Sequence, residues 1–199
     1  LGGSDATLDI GSTTQTAATL VSGNGGSFTN MAVTGSGGSL VLTGPGSFEV
    51  GPGGTVTAGQ RAVVSMATLA NFSYTSAADT FRVGLKGGAA QNGLLGTSSL
   101  TLAQANTIVA ATLGIGDLGG SNDGGAAQLF LGQSTTLGVG SISMGNSRAD
   151  STLQFAPGTS APTLVVRGTD GASPTGTWLV GQLGQFSTAS KTSYTSTVD

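Results

Sequence analysis

Apolar residues along this chain fall in short clusters that alternate with small and polar residues, and one arrangement recurs: apolar, variable, apolar, glycine. It stands at Leu8-Asp9-Ile10-Gly11, Phe48-Glu49-Val50-Gly51, Phe81-Arg82-Val83-Gly84, Leu113-Gly114-Ile115-Gly116 and Ile142-Ser143-Met144-Gly145. A period of two is the period of a strand, whose alternate side chains point to opposite faces. The two apolar residues are therefore expected to face a core and the variable one to face out. The glycine lets the backbone turn a corner, because it accepts positive φ without a Cβ clash. The outward residues Asp9, Glu49, Arg82, Gly114 and Ser143 share no chemistry, which reads as a solvated face.

A longer similarity reinforces the strand reading. At an offset of 29 positions Leu100 falls on Leu129, Leu102 on Leu131, Gln104 on Gln133, Ile108 on Leu137, Leu113 on Ile142 and Ile115 on Met144. Leu102–Leu113 alone could pass for a helix. Its counterpart Leu131–Ile142 (LGQSTTLGVGSI) could not, since each glycine costs about 0.8–1 kcal/mol in a helix relative to alanine and its Thr, Ser and Val add to that. Both stretches are predicted to be strands. Further short strands are predicted at Ser39–Thr43, Thr55–Ala58, Thr80–Val83, Ser99–Ala103, Gln128–Leu131, Thr152–Phe155 and Thr163–Val166. Turns rich in Gly, Pro, Asn and Asp separate them, among them Gly44-Pro45-Gly46 and the run Gly119–Gly125.

Many short strands would fit a sandwich or a barrel, but self-similarity at a spacing of a few tens of residues favours a solenoid. Stacked coils place like on like along a ladder of about 4.8 Å, and Gln104 over Gln133 and Thr107 over Thr136 are of that kind. The small residues Ala110, Ala111, Gly138 and Gly140 suit a narrow interior. The fold expected is all-β: a single parallel β-helix over residues 1–186, with irregular coils of roughly 20–30 residues. Residues 187–199 form a polar C-terminal tail.

Composition narrows the chemistry. Of 199 residues 36 are Gly, 8% are charged and 5% aromatic, a balance that could signal disorder, yet 37% are apolar and clustered. The net charge is −3 and the six basic residues never cluster, so no stripe exists to displace counterions from nucleic acid or to bind an anionic membrane. No run of about 18 apolar residues could span a bilayer as a helix. The opening LGGSDATLDIG, without an initiating Met, reads as a processed product or a piece of something longer. Absence of Cys and His removes disulfides, thiolate catalysis, Ser-His-Asp triads and imidazole metal sites.

Stretches such as SLTLAQANTIVAATLGIGD and FLGQSTTLGVGSISMGNSRADSTLQF resemble the β-strand repeats of bacterial autotransporter-type passengers and related surface proteins. The resemblance is clearest over residues 80–168 and rests on the repeat rather than on one motif. It implies a right-handed parallel β-helix, exported and displayed outside the cell in an adhesive or structural role.

Carboxylate chemistry remains, as some β-helices cleave polysaccharides with clustered Asp. The nine acidic residues do not recur at equivalent positions, so no paired constellation is expected. Asn122-Asp123 reads as a simple turn rather than a calcium loop, and Gly87-Gly88-Ala89-Ala90 lacks the ending of a phosphate loop. Most aromatics read as core; Phe130, between inward Leu129 and Leu131, should point out and is a candidate surface contact. No cofactor and no metal site are expected.

The tail places Tyr194, Ser196 and Val198 on one side of a potential strand. It is either a frayed end or a strand lent to a neighbouring subunit. Those three residues, with Leu8 and Ile10 at the other end, are the candidate assembly residues. The function expected is a non-enzymatic, extracellular or cell-surface structural protein, a fibre subunit or adhesin stalk whose partner is itself. A carbohydrate-binding or carbohydrate-processing β-helix is the alternative, with surface glycans as partners.

Overall fold

The computed structural model describes residues 5–22, 29–52, 59–84, 96–116, 126–146, 149–181 and 195–199. They carry sixteen strands and no helix. The first coil holds β1 (Ala6–Asp9), β2 (Thr14–Ala17) and β3 (Val21–Ser22); the second holds β4 (Thr29–Thr34), β5 (Ser39–Leu42) and β6 (Phe48–Val50). In the third, fourth and fifth coils the second and third strands are fused. These coils are β7 (Ala62–Ser65) with β8 (Asn71–Val83), β9 (Ser98–Thr101) with β10 (Ala105–Ile115), and β11 (Ala127–Leu131) with β12 (Ser134–Met144). The sixth coil is β13 (Ser151–Phe155), β14 (Thr163–Arg167) and β15 (Thr177–Val180), and β16 (Ser196–Val198) opens a seventh.

Every ladder is parallel. One sheet runs β1-β4-β7-β9-β11-β13-β16, and the other stacks β2, β5, β8, β10, β12 and β14, with β3, β6 and β15 alongside. Strand neighbours are thus successive coils, and the chain is a parallel β-solenoid. The expected register holds: Leu100 pairs Leu129, Ile108 pairs Leu137, Leu113 pairs Ile142 and Ile115 pairs Met144. Phe48 and Val50 continue the same columns through Phe81 and Val83.

The core lies between the sheets and is made by the alternation itself. In β11 the buried residues are Ala127, Leu129 and Leu131, and Gln128 and Phe130 alternate with them outside. Fully burying each such aliphatic side chain is worth about 1.5–3 kcal/mol, so the inward columns outweigh any surface interaction here. In the middle coils the columns become aromatic. Phe48 and Phe81 stack at 4.4 Å and 10°, and Phe72 and Tyr74 pack around them at 5.5–6.2 Å. The Tyr74 hydroxyl donates to the Gly46 carbonyl oxygen at 2.9 Å, which satisfies the one polar atom of that cluster.

The corner glycines behave as the signature requires at Gly11, Gly84, Gly116 and Gly145, with φ of 56, 125, 63 and 64°. Gly181, at φ 70°, ends a further copy at Trp178-Leu179-Val180. At Gly116 a Cβ would also stand 2.9 Å from the Ala149 Cβ of a neighbouring coil, so two constraints select glycine there.

Four expectations are corrected. Leu8-Asp9-Ile10-Gly11 belongs to the other sheet, where Leu8 pairs Val33. The first-coil counterpart of Phe48 is Leu20, because Val21 pairs Glu49. Both sheets end at corners, and each corner asks for the same apolar, variable, apolar, glycine sequence. Secondly, Gly114 and Ser143 are buried rather than solvated. Alternation sorts residues between the two sides of a sheet but does not decide whether the outer side meets water. Thirdly, of the four small residues only Ala110 faces the core; Gly138 stands in the outer column beside Val109, and Gly140 is exposed. Lastly, Gln104 and Gln133 occupy equivalent positions but reach in opposite directions. Gln104 donates to the Ala67 carbonyl at 3.0 Å and Gln133 to that of Ser160 at 2.6 Å, each tying a different neighbouring turn. The predicted strand Thr55–Ala58 lies outside the described residues.

The interior also holds polar residues that alternation did not reveal. Asn106 and Thr135 are buried in the column that continues to Phe72 and Leu40. The Asn106 amide donates to the Ala103 carbonyl at 2.8 Å and to the Thr135 hydroxyl at 3.2 Å, joining two coils from inside the corner.

Candidate assembly faces

The two ends of the solenoid expose residues that every middle coil buries. At the first coil Leu8 sits on the inward side of β1, and it is 44% exposed whereas its ladder partner Val33 is fully buried. Three other inward positions here are small or polar. Ala6 precedes Met31 in its column, Gln15 precedes Leu40 and Ala17 precedes Leu42. Small side chains over large ones leave a cavity of about 410 Å³, lined in its apolar part by Leu8, Ile10, Ala17, Leu20, Leu40 and Leu42.

At the sixth coil the inward columns end on large residues. Leu164 and Val166 of β14, paired with Thr135 and Leu137, are half-buried against the core. Trp178 and Val180 of β15, paired with Ile142 and Met144, are 43% and 47% exposed. Val198 of β16, paired with Leu153, is 50% exposed.

Ser196 and Val198 thus lie on a strand of the chain's own sheet. Ser196 accepts a hydrogen bond from the Ser151 hydroxyl at 2.9 Å. The Thr195 N–H donates to an Asp150 carboxylate oxygen at 2.9 Å, and the Asp199 N–H to the Leu153 carbonyl at 3.0 Å. Tyr194 lies outside the described residues. Leu8 and Ile10 are at the opposite end of the same sheet, with Ile10 buried and Leu8 exposed. Phe130 points outward from β11 between Thr101 and Gln154 and is half-buried.

The sequence reading missed Trp178, Val180 and the Leu8 to Leu42 cavity. The signal for the first two was present: Trp178-Leu179-Val180-Gly181 is one more copy of the corner signature. Unlike those of the copies in the middle coils, its inward residues are exposed. The cavity carries no such signal, because Gln15 and Ala17 show no apolar alternation.

Five of the described carboxylates, Asp5, Asp9, Asp79, Asp150 and Asp170, act as acceptors for neighbouring backbone or side chains. Asp5 accepts from the Asn30 amide at 2.7 Å and Asp9 from the Gly11 N–H at 2.9 Å. Asp79 accepts from the Ser76 hydroxyl and from the Gly46 N–H at 2.9 Å; these bonds hold its carboxyl below the ordinary carboxylate value. Asp170 accepts from the Ser173 hydroxyl and from the Ala172 and Ser173 N–H groups, which lower it to about 2. Glu49 and Arg82 pair at 3.8 Å on adjacent coils, partly exposed, a contact worth about 0–1 kcal/mol. Among the described residues no three of His, Cys, Asp and Glu are gathered as they would be to hold a metal ion. Asn122-Asp123 and Gly87–Ala90 lie outside the described residues.

The chain matches no family model, no curated protein and no solved structure.

Proposed function

We propose that this chain is an extracellular structural protein, a fibre subunit or the stalk of a surface adhesin, that works by end-to-end stacking of solenoid coils. The observation that carries the reading is the contrast between ends and middle. Leu8 at one end, and Trp178, Val180 and Val198 at the other, are large apolar inward residues left exposed. Each lies on an outermost strand whose second edge has no ladder partner among the described residues. An edge strand with apolar neighbours is a template for another strand, and a surface with 8% charged residues offers little repulsion against it. The carboxylates support the same reading, since those with a described partner serve the fold's own turns and coil junctions. Display outside the cell rests on the resemblance to autotransporter-type repeats.

Electron microscopy and light scattering across a concentration series test this. Filaments whose ladder of about 4.8 Å runs unbroken through subunit junctions are expected. Particles of one chain at every concentration would overturn the reading and direct the next experiment to a glycan-binding screen.

A further inference from the structure

We infer that two copies join head to tail in register, the sixth coil of one copy seated on the first coil of the next, with Trp178 as the knob and the Leu8–Leu42 cavity as its socket. The inference rests on the end-to-end reading above and adds to it a polarity, a register and a contact.

The columns supply the argument. Following the ladders through the chain, Leu164 ends the column that Gln15 begins, and Val166 ends the column that Ala17 begins. Val198 ends the column of Ala6. Trp178 ends the column of Ile142, Leu113, Phe81 and Phe48, whose first-coil position is Leu20. Continuing each ladder by one rung into a second copy therefore sets large on small at two positions, Val198 on Ala6 and Val166 on Ala17, and sets Leu164 on the side chain of Gln15. It also sets Trp178 at Leu20, which lines the cavity. Several inward columns elsewhere stack large on large, as Phe48 on Phe81 and Leu100 on Leu129 do. A tail-to-tail pairing would bring Trp178, Val180 and Val198 against their own copies and leave the cavity of about 410 Å³ empty. A heterologous contact of this kind does not close on itself, so it propagates as a filament. Val180 would stand over Ser22, which begins its column and is already buried, so this rung adds little to the socket.

The sequence provides two clean probes. It has no cysteine and a single tryptophan, Trp178. Thr16 and Val165 are exposed, and they begin and end one outward column, through Val41, Ser73, Thr107 and Thr136. Across an in-register junction their Cα atoms would be about one rung apart, about 4.8 Å, inside the disulfide range of about 4.4–6.8 Å. Thr14 would stand on the diagonal, about 7–8 Å away.

The experiment is oxidation of the double variant Thr16→Cys/Val165→Cys under assembling conditions, read as a non-reducing ladder. Thr14→Cys/Val165→Cys and each single variant serve as controls, with Trp178 emission followed in the wild type. Expected are a ladder of multimers from the first pair, at least tenfold less from the second, and a blue shift of the emission over the concentrations at which filaments appear. Trp178→Ala should raise the critical concentration at least tenfold, with circular dichroism showing the strands retained. Filaments lacking that cross-link, or ready dimer formation by Val165→Cys alone, which marks a tail-to-tail contact, would overturn the head-to-tail register and leave the end-to-end reading standing. No assembly at any concentration would overturn both.

Discussion

One methyl group separates two glycines of the fifth coil. A Cβ at Gly132, between β11 and β12, would overlap the Ala103 carbonyl oxygen of the coil beside it and stand 2.7 Å from the Asn106 amide nitrogen. Backbone cannot yield there without breaking the corner, so Gly132→Ala should destabilise by about 1–3 kcal/mol. At Gly138 the nearest atom is the Val109 Cγ2 at 3.4 Å, ordinary contact, and φ is not positive. Gly138→Ala should be neutral or stabilise by up to about 1 kcal/mol, because alanine restricts the unfolded chain. Urea midpoints of the two variants decide the matter. The same scale shows where cohesion resides. Phe81→Ala should cost about 3–5 kcal/mol, several times what the partly exposed Glu49–Arg82 pair contributes. A double-mutant cycle on Phe48 and Phe81 should return a coupling of about 0.5–1.5 kcal/mol for the stacked rings. Most of these interior residues were legible in the sequence, since Phe48, Phe81, Leu113 and Ile142 each open a corner signature. The demands on Gly132 were not, because they come from a coil 29 residues away in the chain, as the Asn106–Thr135 bond does.

At the scale of elements, strands with their own alternation were legible and strands supported by neighbours were not. Ser39–Leu42, Ala127–Leu131, Ser151–Phe155 and Thr163–Arg167 match predicted segments within one or two residues. Thr14–Ala17 has no apolar pattern and is a strand because it lies on β5. The length of β8 was hidden as well. Its polar stretch through Thr75 and Thr80 is held by β10, with Ala77, Ala78 and Asp79 standing opposite Ala111 alone. That irregularity is braced by Asp79, which ties Gly46 of the second coil to Ser76 of the third. Ser76 chiefly, and then the Gly46 N–H, lower its carboxyl below the unfolded value of 3.8. The unfolded chain therefore takes up the proton first on acidification. The bracket's contribution is complete above about pH 4 and is lost as pH falls below it. Asp79→Asn should lower the urea midpoint at neutral pH and flatten its decline toward acid. Asp170, at about 2, orders the turn between β14 and β15 in the same way. Carboxyl NMR should find Asp170 titrating near 2, and amide protection of 170–175 should fade between pH 4 and 2 while the ladders persist.

At the scale of the whole molecule, the same columns that hold the coils together govern how copies meet, and in one place they bring like charges together. In the head-to-tail register Asp199, one residue beyond Val198, lies over Thr7 of the next copy, because its column runs through Gln154, Phe130, Thr101, Ser65 and Ala32. Asp5 and Asp9 of that copy flank Thr7 on the same outward side, so three carboxylates meet on diagonals of about 7–8 Å. That distance is well inside the Debye length of about 30 Å at 0.01 M salt and close to the roughly 8 Å at 0.15 M. Repulsion at the junction should therefore oppose assembly in dilute buffer and be largely screened at physiological salt. The critical concentration should fall several-fold between those two conditions. Salt also strengthens apolar association, so the trend alone does not identify its cause. Asp199→Asn separates the two: it should assemble at lower concentration than the wild type in 0.01 M salt and depend less steeply on salt, the curves converging above 0.15 M. Curves that run parallel instead would place Asp199 away from Asp5 and Asp9, and with it the seventh-coil strand away from the first strand of the next copy.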